Sequence, residues 1–326
     1  MKALIIKILK IAVPIGIGIY LTWYFFNGLN EEQLRQTKDS FFNANYFWVF
    51  LGLCVAFLSH LSRSYRWLFL LEPLGYKPRL SNAYHAVMAG YVINYTVPRS
   101  GEIARAGLLT NYEKVPFEKG FATIVIERVI DVIMLGLVVF ISGLLQINSD
   151  EFNKITSAVS GGSNGWLIYV AIGMALVGVV GLLVILKNKR LKQLFLTKLY
   201  GFYEGLKSIW TMKKKWAFIA HTFFIWGCYL ISIWIFALAF PETSAISIGA
   251  VFGVFVVGAA AIALLPGGIG AYPSWVNAAL VLYSINFAGF GIFMWVIQTT
   301  MMVLLGLLSL FLIQRQPKLI KEEQTH

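Results

Sequence analysis

Residues 290–313 read FGIFMWVIQTTMMVLLGLLSLFLI, without one acidic or basic side chain. A helix of that length reaches across the roughly 30 Å of bilayer hydrocarbon. Comparable apolar stretches lie at 8–26, 46–68, 121–145, 166–186 and 216–240. Only 13% of the residues are charged and 58% are hydrophobic, whereas soluble domains are about one-quarter charged. The chain therefore reads as an all-α polytopic membrane protein with about six full spans.

A formal charge of +12 raises the question of nucleic acid, and topology answers it. With the N-terminus cytoplasmic, 23 of the 27 Lys and Arg fall in the N-terminal segment, 63–120, 187–215 and the tail. Arg35, Lys38 and Lys154 lie on the other side, and Arg128 lies within a span. That bias is the positive-inside pattern, so the basicity is spent on orientation and no nucleic-acid partner is expected. Both termini are then cytoplasmic. Lys2, Lys7 and Lys10 precede an apolar run that continues into Trp23, Tyr24 and Phe25 without a small-residue cleavage site, which reads as a retained first helix. Cys54 and Cys228 fall within spans and suggest neither a disulfide framework nor a metal site.

Residues 27–45 read as a polar outer loop. The span from Tyr46 ends in SHLSRSYRW, where Arg63 and Arg66 are expected to reach the cytoplasmic headgroups. In 187–215, Leu191, Leu194, Phe195, Leu199, Phe202, Leu206 and Ile209 share a helical face, with lysines around the remainder. This segment reads as an amphipathic cytoplasmic connector on the inner leaflet.

Two regions depart from clean spans. At 81–112 an apolar helix runs into Pro98 and Gly101; at 246–285 another runs into Pro266, Gly267, Gly268 and Gly270. Each is flanked by one span before and one after, giving repeat one at about 46–145 and repeat two at about 216–313 within a single transmembrane domain, 1–326. The two copies enter from opposite faces, which makes the repeat inverted. Two broken, re-entrant helix pairs related in this way are a transporter construction, and unwound backbone at membrane depth needs protein or a water-filled cavity around it. The alternative, in which 247–265 and 271–288 each cross fully, satisfies the same parity.

Charge gathers at the first break. Arg99, Glu102 and Arg105 follow it directly; arginine donors suit phosphate, and a helix restarting after Pro98 presents backbone N–H groups to an anion. Glu102 and Arg105, three apart, are spaced to pair on one turn. Glu127, Arg128 and Asp131 stand at the start of a span, where ionisable groups by default face the protein interior. A functional pathway and a buried network tying the two clusters together both require contact between them. LLPGGIGAYP lacks the lysine and hydroxyl of a phosphate loop. His60, His85 and His221 show no metal-ligand spacing, and no catalytic grouping stands out. No cofactor, metal or catalytic residue is expected.

VPRSGEIARAGLL, ATIVIERVIDVIML and LLPGGIGAY, in that order, resemble the transmembrane region of lysylphosphatidylglycerol synthases, a flippase-like integral membrane family. The resemblance covers roughly residues 10–313. It implies a lipid translocase and carries over Pro98, Gly101, Glu102 and Arg105, then Glu127, Arg128 and Asp131, then Pro266, Gly267, Gly268 and Gly270. Family members with an added C-terminal aminoacyltransferase domain make and move aminoacylated phosphatidylglycerol. This chain runs about a dozen residues past its last span, so that domain is not expected here. Pro273 stands where an acid is expected after the glycines, leaving the second hairpin uncharged.

The expectation is a non-enzymatic translocase of an anionic or zwitterionic lipid in the bacterial cytoplasmic (inner) membrane, with Arg99 and Arg105 on the phosphate. Glu102, Glu127 or Asp131 would orient them, take an amino group or relay protons. The alternatives are a membrane-embedded glycosyl- or acyltransferase acting on lipid, or a scaffold subunit for a lipid-modifying enzyme.

Overall fold

A computed structural model of the protein describes residues 16, 19–20, 22–97, 100–146, 193 and 209–317. Most of the expected span 8–26, all of 166–186, most of the connector 187–215, and Pro98 and Arg99 lie outside the described residues. The chain divides into two compact units, residues 1–128 with 214–326, and residues 129–213. Within the second, the described helix ends at Gln146, whose amide donates to the Ser142 hydroxyl at 2.8 Å. All that follows concerns the first.

Its helices are α1 (Glu31–Asn43), α2 (Tyr46–Leu71), α3 (Leu80–Thr96), α4 (Gly101–Glu113), α5 (Phe117–Gln146, which starts here), α6 (Lys215–Ala237), α7 (Ile248–Leu264), α8 (Ala271–Leu282) and α9 (Gly289–Gln314). The chain is an all-α membrane protein. Among the described residues three helices are long and apolar enough to cross a bilayer: Tyr46–Leu74, Lys215–Ala237 and Gly289–Gln314, with mean hydropathies of 1.4, 1.7 and 2.3.

The supposed outer loop 27–45 is largely helix. Asn30 and Gln33 close a reciprocal capping box at 2.8 and 3.1 Å, and Glu31 and Glu32 place negative charge at the positive end of the helix dipole. One face of α1 then docks on the start of α9, where a Cβ on Gly289 would lie 2.8 Å from both the Gln36 carbonyl and the Ser40 side chain.

The long α2 packs along α6, and Gly52 leaves room there for the ring of the fully buried Phe236. Twice the chain breaks a helix in the same way. Residues before proline are pushed out of the helical region by the pyrrolidine ring: Val97, before Pro98, has φ −129 and ψ 107, and Leu265, before Pro266, has φ −120 and ψ 142. The helices leading into the breaks, α3 and α7, are both 17 residues; those leaving, α4 and α8, are 13 and 12. At 1.5 Å per residue these are about 25 Å and about 18–20 Å long, less than the hydrocarbon thickness. In both cases the outgoing helix folds back on the incoming one. Gly90 and Gly258, each the eleventh residue of its helix, open the approach. A Cβ there would lie 2.9 Å from the Gly101 carbonyl in α4, or 2.7 Å from the Tyr272 ring in α8.

The core is divided by chemistry. Phe236, Phe240, Phe287, Phe290 and Phe293 join Val254, Val276 and Leu280 in an apolar cluster built mostly from α6–α9. The C-terminal half of α2 instead buries Ser59, His60, Ser62, Arg63, Ser64 and Arg66.

Candidate functional site

Glu127, on α5, is fully buried, and three guanidiniums converge on it. Arg63 Nη1 donates to Oε1 at 2.6 Å, Arg66 Nη2 lies 3.5 Å from Oε1, and Arg105 Nη2 donates to Oε2 at 3.0 Å. Arg63 and Arg66 come from α2 and Arg105 from α4, so one carboxylate ties three helices. A lone charge in such a place is untenable, and pairing with opposite charge is what makes it tolerable. Hydroxyls add two acceptors: Arg66 Nη1 donates to Thr222 Oγ1 at 3.1 Å and Arg63 Nη2 to the Tyr229 hydroxyl at 3.4 Å, both on α6.

Arg63 and Arg66 therefore do not reach out to headgroups, as the sequence suggested. They lie 4% and 0% exposed in the protein interior, because a paired carboxylate within reach outweighs a long-stem path to the interface. A signal was present: two ionisable groups inside a span belong by default to the interior, as was argued for Glu127.

A second ion pair stands beside the first. Arg128 Nη2 donates to Glu102 Oε1 at 2.7 Å, with side chains 42% and 24% exposed. The expected contact between the clusters is thus made twice, through Arg105–Glu127 and Arg128–Glu102. The expected intrahelical pairing of Glu102 with Arg105 is not what forms; each turns to α5, where its partner is aligned by the crossing of the helices. Asp131, one turn beyond Glu127 on α5, is half-buried and belongs to the second unit.

The N-terminus of α4 is less open to an anion than its sequence implied. The Gly101 N–H, one of the unpaired amides of the first turn, already donates to Asn94 Oδ1 of α3 at 2.7 Å. Gly101 has no room for a side chain, since a Cβ would collide with the Gly90 carbonyl oxygen.

Arg105 is mounted on three sides. Its stem passes over Gly90, where a Cβ would lie 2.8 Å from Cγ. Its guanidinium stacks on the Trp67 ring, 4.3 Å from the centroid. Trp67 is fully buried and is fixed at its edge: Nε1 donates to Thr123 Oγ1 at 2.9 Å, and that hydroxyl donates to the Gly120 carbonyl at 2.7 Å. Sequence reading did not single out Trp67, Thr123, Thr222 or Tyr229, because ordinary apolar and hydroxyl residues carry no periodic mark of a site.

The histidines are dispersed: His60 lies edge-on to Tyr91 at 5.3 Å, His221 Nδ1 is 2.8 Å from Ser62 Oγ, and His85 Nδ1 is 3.1 Å from Ser309 Oγ.

The second break carries no charge. Gly267, Gly268 and Gly270 have φ values of 61, 68 and 73, the left-handed region that costs other residues about 1 kcal/mol or more. The Gly267 carbonyl accepts from Trp295 Nε1 of α9 at 2.8 Å. Against it sits the ring of Tyr95, near the end of α3, which a Cβ at Gly267 would strike. The two breaks therefore meet through Tyr95 and Gly267.

Among known proteins, 114 residues of this chain are 32% identical to the UPF0104 membrane protein MJ1595 of Methanocaldococcus jannaschii. The match spans 34% of each chain, so the chain covers about a third of that relative's length. No solved structure matches. The family model for the lysylphosphatidylglycerol synthase TM region matches residues 10–313, which takes in both breaks, the Glu127 cluster and the helices described above save the last residue of α9. On that match the chain belongs to the lysylphosphatidylglycerol synthase transmembrane-region family.

Proposed function

We propose that this protein moves an anionic or zwitterionic phospholipid between the leaflets of the bacterial cytoplasmic membrane, without chemical change to the lipid. The observation that carries this reading is the placement of four arginines and two glutamates where a broken helix meets α5. An intramembrane charge cluster is costly and marks a polar path by default. The headgroup crosses by this route while its acyl chains stay in lipid, so the desolvation of one phosphate, the largest cost, is offset by arginine donors.

The architecture is an inverted repeat of about 46–145 and 216–313 in one transmembrane domain, with both termini cytoplasmic. Its support is the twice-used order of long helix, 17-residue helix, proline break, short helix and long helix. Both hairpins are re-entrant in this reading, which the lengths of α3, α4, α7 and α8 favour. The half-exposed Arg128–Glu102 pair is the first contact of the headgroup, and Glu127 with Arg63 and Arg66 holds the helices around it. Movement is downhill or coupled to protons through Glu102, Glu127 or Asp131, and the partner that supplies the substrate is a lipid-modifying enzyme.

Purified protein in liposomes with one labelled phospholipid leaflet provides the test. The expected result is transfer to the other leaflet by wild type, reduced about tenfold or more in Arg128→Ala with the melting temperature little changed. Transfer equal to that of protein-free vesicles would refute the proposal.

A further inference from the structure

The mounting of Arg105 has a consequence for what the site binds, and it deepens the reading given under Proposed function. Arg105 is 2% exposed, yet its Nε and Nη1 nitrogens have no hydrogen-bond acceptor among the described residues. Only Nη2 is engaged, on Glu127. Buried guanidinium donors left without acceptors cost about 1–3 kcal/mol each, and a native interior rarely tolerates them without a role. The same side chain is held with unusual care, its stem over Gly90, its face on Trp67 and one nitrogen on a carboxylate. Such mounting fixes the direction of the remaining N–H groups before any ligand arrives.

Charge selects the class of ligand. Three guanidiniums meet at the single carboxylate of Glu127. A water would accept from Nε or Nη1 but would balance no charge; an oxyanion does both. Neither nitrogen finds an acceptor among the described residues around Arg105.

We propose that Arg105 is the phosphate-receiving residue of this chain, its Nε and Nη1 donating to a phosphate-type oxyanion, and that Trp67 is a positioning residue that presents it. Arg63 and Arg66 hold Glu127. The oxyanion comes from a phospholipid headgroup or from free phosphate, and the chemistry at Arg105 is the same for both.

The test uses the full chain in nanodiscs, with arginine side chains labelled with 15N and the Arg105 Nε signal assigned by its loss in Arg105→Lys. Phosphatidylglycerol, diacylglycerol of the same chain length and inorganic phosphate are added separately. A shift of that signal with phosphatidylglycerol but not diacylglycerol supports a lipid source; a shift with inorganic phosphate alone supports a soluble one. Retained phosphatidylglycerol, counted by native mass spectrometry, is expected to fall about tenfold in Arg105→Lys, which keeps the charge beside Glu127 but loses the planar donors. Trp67→Phe, which keeps an aromatic face, is expected to stay within about twofold of wild type, while Trp67→Leu approaches Arg105→Lys. An unmoved Nε signal with all three additives overturns the assignment, as does wild-type retention in Arg105→Lys. Equal loss in Trp67→Phe and Trp67→Leu overturns the positioning role. Lipid transfer is measured on the same samples. Transfer that ignores Arg105→Lys leaves the translocase reading standing without this assignment, and Arg105-dependent binding without transfer does the reverse.

Discussion

The two broken hairpins share a backbone plan and almost nothing else. Each incoming helix has 17 residues and a glycine at its eleventh, and each ends in an extended residue before proline. Yet the first hairpin is bound to its neighbours by ions, through Arg105 to Glu127 and Glu102 to Arg128. The second is bound by amides and rings: Asn277 of α8 donates to the Ala288 carbonyl at 2.6 Å and accepts from the Gly291 amide at 3.0 Å, and Tyr272 fills the space left by Gly258. Helix geometry in a membrane is thus set by where the backbone is interrupted. The chemistry lining the interruption is free to differ. An electrostatic hairpin can exchange partners with a charged ligand; an apolar one that turns on three left-handed glycines is suited to act as a fixed floor.

The largest effect is expected where the first hairpin is anchored. Glu127→Gln removes the carboxylate but keeps its shape, leaving three buried guanidiniums without a counter-charge, and should cost about 3–5 kcal/mol. The readout is the melting temperature and monodispersity of purified protein. A variant as stable as wild type would mean that the cluster does not anchor the first hairpin and that the contrast between the hairpins is misdrawn.

Next comes the contact that joins the hairpins. Gly267→Ala sets a Cβ against the Tyr95 ring at a positive φ, and is expected to cost about 1–3 kcal/mol. Pairing it with Tyr95→Ala separates the causes. Recovery of most of the loss in the double variant assigns it to the clash between the breaks, and no recovery assigns it to backbone strain within the second hairpin alone.

The smallest effect on stability is expected at the half-exposed pair. Glu102→Gln should lower stability by less than about 1 kcal/mol, since water already solvates much of both partners. In the same preparation it should alter lipid transfer far more than Asn277→Leu, which disturbs only the floor. If the two variants affect transfer equally, the division of labour between the hairpins is lost.

Much of the plan was legible because it rests on local rules. Apolar length, the positive-inside bias and the proline breaks all follow from the residues in order, and they gave the helical class, the break positions and the expectation that Glu127 and Arg128 contact the segment after Pro98. The segment 27–45 was misread as a loop because its capping box, Asn30 with Gln33, was outweighed by its polarity; its buried Ser40 needs α9 to make sense.

Composition and order alone settled that this chain lives in a membrane as helices, broken at two prolines, because the bilayer penalises every unpaired backbone group and proline removes the local pairing. Which charge meets which was decided only by folding. Arg63, Arg66 and Arg105 stand 64, 61 and 22 residues from Glu127 along the chain, and helix crossing brings them to one carboxylate. The spacing that would have paired Glu102 with Arg105 lost to partners supplied by α5, since a carboxylate buried among three guanidiniums is stabilised far more than an ion pair along one partly wet turn.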